Sequence, residues 1–125
     1  MGINDNQKAE TGGEKTAQAQ MRKGVLELCI LSILSQGDAY PTEIIDKLKD
    51  TKLVVVEGTL YPLLTRLKNL DLLAYRWEES TSGPPRKYYR LTSTGEQYLG
   101  ELQLSWKELV QSVNKTIEQG KDFSK

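Results

Sequence analysis

Histidine is absent from this sequence of 125 residues, and cysteine occurs once, at Cys29. The commonest general base and metal ligand is therefore missing. A single thiol can form no internal disulfide, which fits a reducing compartment. Cys29 lies between Leu28 and Ile30 with no adjacent Lys or Arg to favour a thiolate, so it reads as an inert core thiol. No glycine-rich phosphate loop is present: Gly12–Gly13 lies in a polar stretch and the other glycines are scattered. The Glu78–Glu79 pair reads as solvated rather than metal-binding. These absences argue against an enzyme, and no cofactor or metal is expected.

A surplus of one charge is lacking too, since Lys+Arg and Asp+Glu number 17 each. Bulk electrostatics therefore says nothing of a nucleic-acid partner, and only the placement of charges can. Long apolar runs are missing. The longest, Val25 to Leu34, is broken by Glu27 and Ser32 and is too short to span a bilayer. Met1–Gln20 has no apolar core of the kind a secretory signal needs. The expectation is one cytoplasmic domain with no membrane partner.

What is present is organised. Residues 1–15 are polar and aperiodic and read as a disordered tail. A first helix is expected over about 16–36, ending at the Gln36–Gly37–Asp38 turn. Pro41 opens a second, with Ile44, Ile45 and Leu48 inward and an end near Asp50. Lys52–Val56 is β-branched and extended. In the third helix Leu60, Leu63, Leu64, Leu67 and Leu70 recur on one face of a 3.6-residue repeat, with Thr59 as N-cap and Pro62 in the first turn. Tyr61, Thr65, Lys68 and Asn69 then face outward, with Arg66 at the edge. The period changes to two at Leu73–Tyr75–Trp77, a loop follows at Ser80–Pro85, and Arg86–Leu91 returns as a second strand with Tyr89 and Leu91 inward. Ser93 with Glu96 forms a capping box that opens a last helix. The expected fold is mainly α with a small β-hairpin: a winged helix-turn-helix over 16–92, a C-terminal helix over 93–120 and a tail at 121–125.

In such a layout the third helix enters the major groove N-terminal end first, and the hairpin, or wing, lies along the backbone. Free N–H groups at the helix start suit a phosphate. Gly58 lets backbone approach closely, Thr59 and Tyr61 add hydroxyls, Arg66 and Lys68 add charge, and Thr65 can reach a base edge. The wing adds Arg86 and Lys87, flanked by Arg76 and Arg90. Between Arg66 and Thr92 six cations face the three acids Asp71, Glu78 and Glu79, a local surplus within a neutral chain.

The run GTLYPLLTRLK (Gly58–Lys68), followed by RKYYRLTSTG (Arg86–Gly95), resembles the PadR family of transcriptional regulators, and the resemblance extends over about Met21 to Ile117. It implies a winged-helix DNA-binding domain, a C-terminal dimerisation helix, and repression of a promoter that a small molecule often relieves. The length fits the short branch with one C-terminal helix. Gly58, Thr59, Tyr61, Pro62, Thr65, Arg66, Lys68, Arg86 and Lys87 are the expected DNA-binding residues. Two positions depart from the family pattern. Asp71 stands where a glycine usually ends the third helix, and Ala39–Tyr40–Pro41 replaces a glycine-tyrosine opening of the second. Aspartate tolerates the left-handed conformation, so the cap is expected to survive.

The last helix carries Leu99, Leu102, Trp106, Leu109, Val113 and Ile117 at spacings of three and four. A domain this small cannot bury the whole stripe, and a second copy in a homodimer is the simplest cover. Such a dimer suits a palindromic double-stranded operator. By the resemblance, Trp106 falls where drug-responsive members stack a planar guest at the dimer interface; it can equally be an interface residue that fills space. With Leu109 and Val110 one turn on and no carboxylate on that face, the expected effector is an apolar planar molecule rather than a cation. The alternative is a winged-helix dimer that binds protein or sequesters a small molecule without specific DNA binding.

Overall fold

The computed structural model describes residues 17, 21, 22 and 24–125. The expected tail at 1–15 lies outside the described residues, as do 16, 18–20 and 23 within the expected first helix. From Leu26 onward the elements follow in the order α1 (Leu26–Leu34), α2 (Pro41–Asp50), α3 (Glu57–Asn69), β1 (Leu73–Ser80), β2 (Gly83–Leu91) and α4 (Ser93–Gln119). The expected first helix is interrupted at Gly24–Val25. Met21 and Arg22 are helical, but Gly24 and Val25 form a turn in which the Val25 N–H donates to the Arg22 carbonyl at 3.0 Å.

One core joins the elements. Ile30, Leu31, Ile44, Leu48, Leu60, Leu64, Leu67 and Leu73 are fully buried, which confirms the inward stripes of α1, α2 and α3. Leu70 does not belong with them, being 53% exposed. The helix stops at Asn69, and Asp71 then takes a left-handed φ of 63°. The chain has turned before Leu70 can reach the core. The aspartate fills the glycine-like position as the sequence predicts.

Helix starts are shifted from expectation. Val56 is the N-cap of α3, so Thr59 stands inside the first turn rather than capping it. Pro62 then lies in the second turn, where it removes the bond that its N–H would have given the Gly58 carbonyl. Gly58 is exposed there, so water can satisfy that carbonyl. At α2, Pro41 is the first helical residue, and the Glu43 carboxylate accepts from the Tyr40 N–H at 3.0 Å. At α4 the cap is Thr92, not Ser93, because the Thr92 hydroxyl accepts from the Gly95 N–H at 2.9 Å.

The hairpin pairs Leu73 with Leu91, Tyr75 with Tyr89 and Trp77 with Lys87, and its register shifts between Glu78 and Ser80. Ala39, between α1 and α2, exchanges backbone hydrogen bonds with Tyr89 at 3.1 and 2.8 Å, a minimal third strand that fastens the wing to the helices. Tyr89 is buried and Leu91 half-buried.

Candidate nucleic-acid interface

The outer face of α3 and the wing enclose a groove of about 480 Å³. Tyr61 and Thr65 line it from α3, Tyr40 and Thr42 from the start of α2, and Trp77, Arg86 and Lys87 from the wing. Four expected contact residues, Tyr61, Thr65, Arg86 and Lys87, are thus brought together.

Cations and aromatic rings alternate over both faces of the wing. On one face the Lys87 ammonium lies 4.4 Å from the Tyr75 centroid, and Lys68, from α3, approaches the same ring at 5.7 Å. Two ammonium groups flanking one ring make a place where an added anion is favoured. On the other face the Arg86 guanidinium lies 4.4 Å over Tyr40, and Arg76 lies 5.0 Å over Tyr88. Tyr40 and Tyr88 meet edge to face at 5.2 Å. Arg76 also pairs with Asp38, beyond α1, and with Glu78 at 2.9 Å, and these bonds raise its pKa above the usual arginine value. That cation is committed to holding the wing.

The other expected residues are placed differently. Gly58 is exposed at the start of α3, and a Cβ built on it would meet nothing within 4 Å. Thr59 faces a separate hollow beside Val55 and Val56. Pro62 is exposed. Arg66 is paired with Glu27 of α1, so its charge is already partnered within the chain. Tyr40 and Trp77 were not expected in the groove. The alternation of β1 does put Trp77 on the Lys87 face, which was the available signal.

A second, larger cleft of about 870 Å³ opens between α1, α2 and α4. Leu28, Cys29 and Ile33 of α1, Leu48 of α2 and Trp106 of α4 form its apolar wall, with Lys47, Asp50 and Lys107 also lining it. Burial pushes the Cys29 thiol up from its ordinary pKa, which favours the inert form. The α4 stripe divides here. Leu99 is only 5% exposed and sits in the chain's own core, so it cannot serve a partner, and half-buried Leu102 packs against that core. Trp106 is 43% exposed, and Leu109, Val113 and Ile117 are exposed as well.

Residues 30–101, more than half of the chain, match the PadR-like family of transcriptional regulators. Solved structures agree. A PadR-like transcription factor from Bacteroides fragilis is 62% identical, with a TM-score of 0.69 over 81% of this chain and 98% of that one. A PadR family regulator from Eggerthella lenta is 34% identical, with a TM-score of 0.81 over 90% of this chain and 98% of that one. A PadR-like regulator from Bacillus cereus is 42% identical, with a TM-score of 0.71 over 82% and 99%. Among the described residues no helix is long and apolar enough to cross a membrane. The winged helix, its basic groove and these likenesses meet in one conclusion: the chain belongs to the PadR-like family and is a DNA-binding transcriptional regulator, not an enzyme.

Proposed function

We propose that this regulator is a homodimeric repressor. Residues 16–92 dock on DNA, and the α4 helices, within 93–120, pair two copies so that two α3 helices face the half-sites of a palindromic operator. The observation that carries the reading is the exposed apolar stripe Trp106–Leu109–Val113–Ile117, which continues beyond the chain's own core and has the spacing of a helix–helix seam. In each half-site Tyr61 and Thr65 meet the groove, with Lys68, Arg86 and Lys87 on phosphates. Gly58, Thr59 and Pro62 lie at the leading end of α3, where the helix dipole favours an anion. Gly58 in a helix costs roughly 0.5–1 kcal/mol relative to alanine. Its open surroundings supply no internal reason for it, which supports close approach of a DNA strand. Arg66 reaches a phosphate only by leaving Glu27.

An apolar planar effector seated against Trp106, in the cleft between α4 and α1, would release the DNA by shifting α4. The test is fluorescence anisotropy of the protein on DNA from upstream of its own gene and on scrambled DNA, across salt concentrations, with sedimentation to count copies. A dimer that prefers its own promoter is expected. Three phosphate-neutralising cations per subunit predict a slope of log affinity against log salt of about −5. A folded dimer with weak binding and no preference would favour the protein-binding or ligand-sequestering reading.

A further inference from the structure

Trp77 shares a strand face with Leu73 and Tyr75, and along that face exposure rises from 2% at Leu73 to 62% at Trp77. Alternate residues of a strand share a face. At its root this face closes the core, and by Trp77 the hairpin has climbed clear of the body. The indole meets Tyr75 edge-on, with centroids 6.2 Å apart, and the Lys87 ammonium lies 5.3 Å from its centroid. These contacts orient the ring without burying it.

The groove that Trp77 borders is shared with Tyr61, Thr65, Arg86 and Lys87, and no carboxylate lines it. Glu78 pairs with Arg76 on the opposite face, and Glu79 lies toward the tip at the register shift. An exposed indole among cations, without an acid, suits a surface that is both anionic and partly apolar. A deoxyribose–phosphate strand is such a surface, and the patch runs directly into the outer face of α3.

We propose that Trp77 is a DNA contact. Its indole packs on the sugar–phosphate strand bordering the groove that α3 enters, and its Nε1–H donates to a phosphate oxygen. The contact rests on the docking of α3 and the wing proposed above and adds to it a clamp that does not read sequence. An uncharged donor releases no counterion, so the clamp contributes affinity without salt sensitivity.

Trp77→Ala and Trp77→Phe are to be compared with the parent by anisotropy on promoter and scrambled duplexes at two salt concentrations. Trp77→Ala is expected to weaken both duplexes alike, by about tenfold, with an unchanged salt slope. Trp77→Phe recovers most of that loss, and the change in tryptophan emission that saturating DNA causes in the parent falls in it to the part that Trp106 gives. Circular dichroism and sedimentation are expected to match the parent. Unchanged affinity in Trp77→Ala overturns the contact. So does a loss confined to the promoter duplex, which makes Trp77 a base reader, or a loss of self-association, which makes the face a protein interface. Should Trp77→Ala fail to fold, the emission comparison between the parent and Trp77→Phe decides. A parent that binds neither duplex overturns the docking of α3 and the wing, and Trp77 with it; a parent that binds while the variants match it overturns Trp77 alone.

Discussion

At its start α4 is pinned from several directions, whereas its later turns carry large apolar side chains that stay exposed among the described residues. The Thr92 N–H donates to the Leu72 carbonyl at 3.1 Å, and the Thr92 hydroxyl donates to the Asp71 carbonyl at 2.6 Å. Gly95 is pressed so close to the Leu72 carbonyl that a Cβ there would collide with its oxygen. Leu99 completes the attachment in the core. Further along, Leu109, Val113 and Ile117 keep the same period and stay exposed, with no partner among the described residues. One uninterrupted pattern therefore serves two destinations, and neighbours rather than periodicity decide where one ends and the other begins.

The largest effect is expected from breaking the pinned end. Gly95→Ala drives a methyl into backbone that cannot yield cheaply and should cost about 3 kcal/mol in urea or thermal unfolding. Val113→Glu attacks the free end. It should weaken self-association by about 2 kcal/mol or more, seen by sedimentation, while circular dichroism shows each chain folded. A loss of folding instead would mean that the free end supports the monomer. Away from α4, Lys68→Ala or Lys87→Ala should each reduce the salt slope of DNA binding by about 2 in a dimer and leave self-association intact. Tyr61→Ala should weaken promoter binding in the same dimer-preserving way. The smallest effect belongs to the loop that α4 is pinned to. Asp71→Gly relieves a left-handed aspartate and should stabilise the protein by about 0.5–1 kcal/mol in the same unfolding assay.

Much of this was legible in the sequence because it depends on local periodicity. The leucines of α3, the alternation of β1 and the proline opening of α2 each report their own element. What was not legible depends on where one element ends against another. The sequence placed Leu99 in the dimer seam with Leu109 because a stripe does not say what covers it. Trp77 looked like its strand neighbours because alternation does not say how far a hairpin rises above the body. Arg66 looked free because Glu27, its partner, lies 39 positions away. Thr59 and Ser93 each looked like a cap, yet Val56 and Thr92 hold those positions, because tertiary contacts set where the chain enters a helix.

α1 occupies the crossing of these parts. It packs on α4, Glu27 ties it to Arg66 of α3, and the turn after it carries Asp38 to Arg76 and Ala39 to Tyr89 in the wing. Every element facing the groove thus has a tie to this helix or its turn, and Leu28, Cys29 and Ile33 of the same helix line the larger cleft. Around a closed thermodynamic cycle the free energies sum to zero, so coupling through such a junction runs equally in both directions. A molecule in the cleft that lowers DNA affinity by some factor must be held less tightly, by that same factor, once the protein is on DNA. The bound promoter is then itself an effector of the cleft, and titrating either site reads the strength of the link.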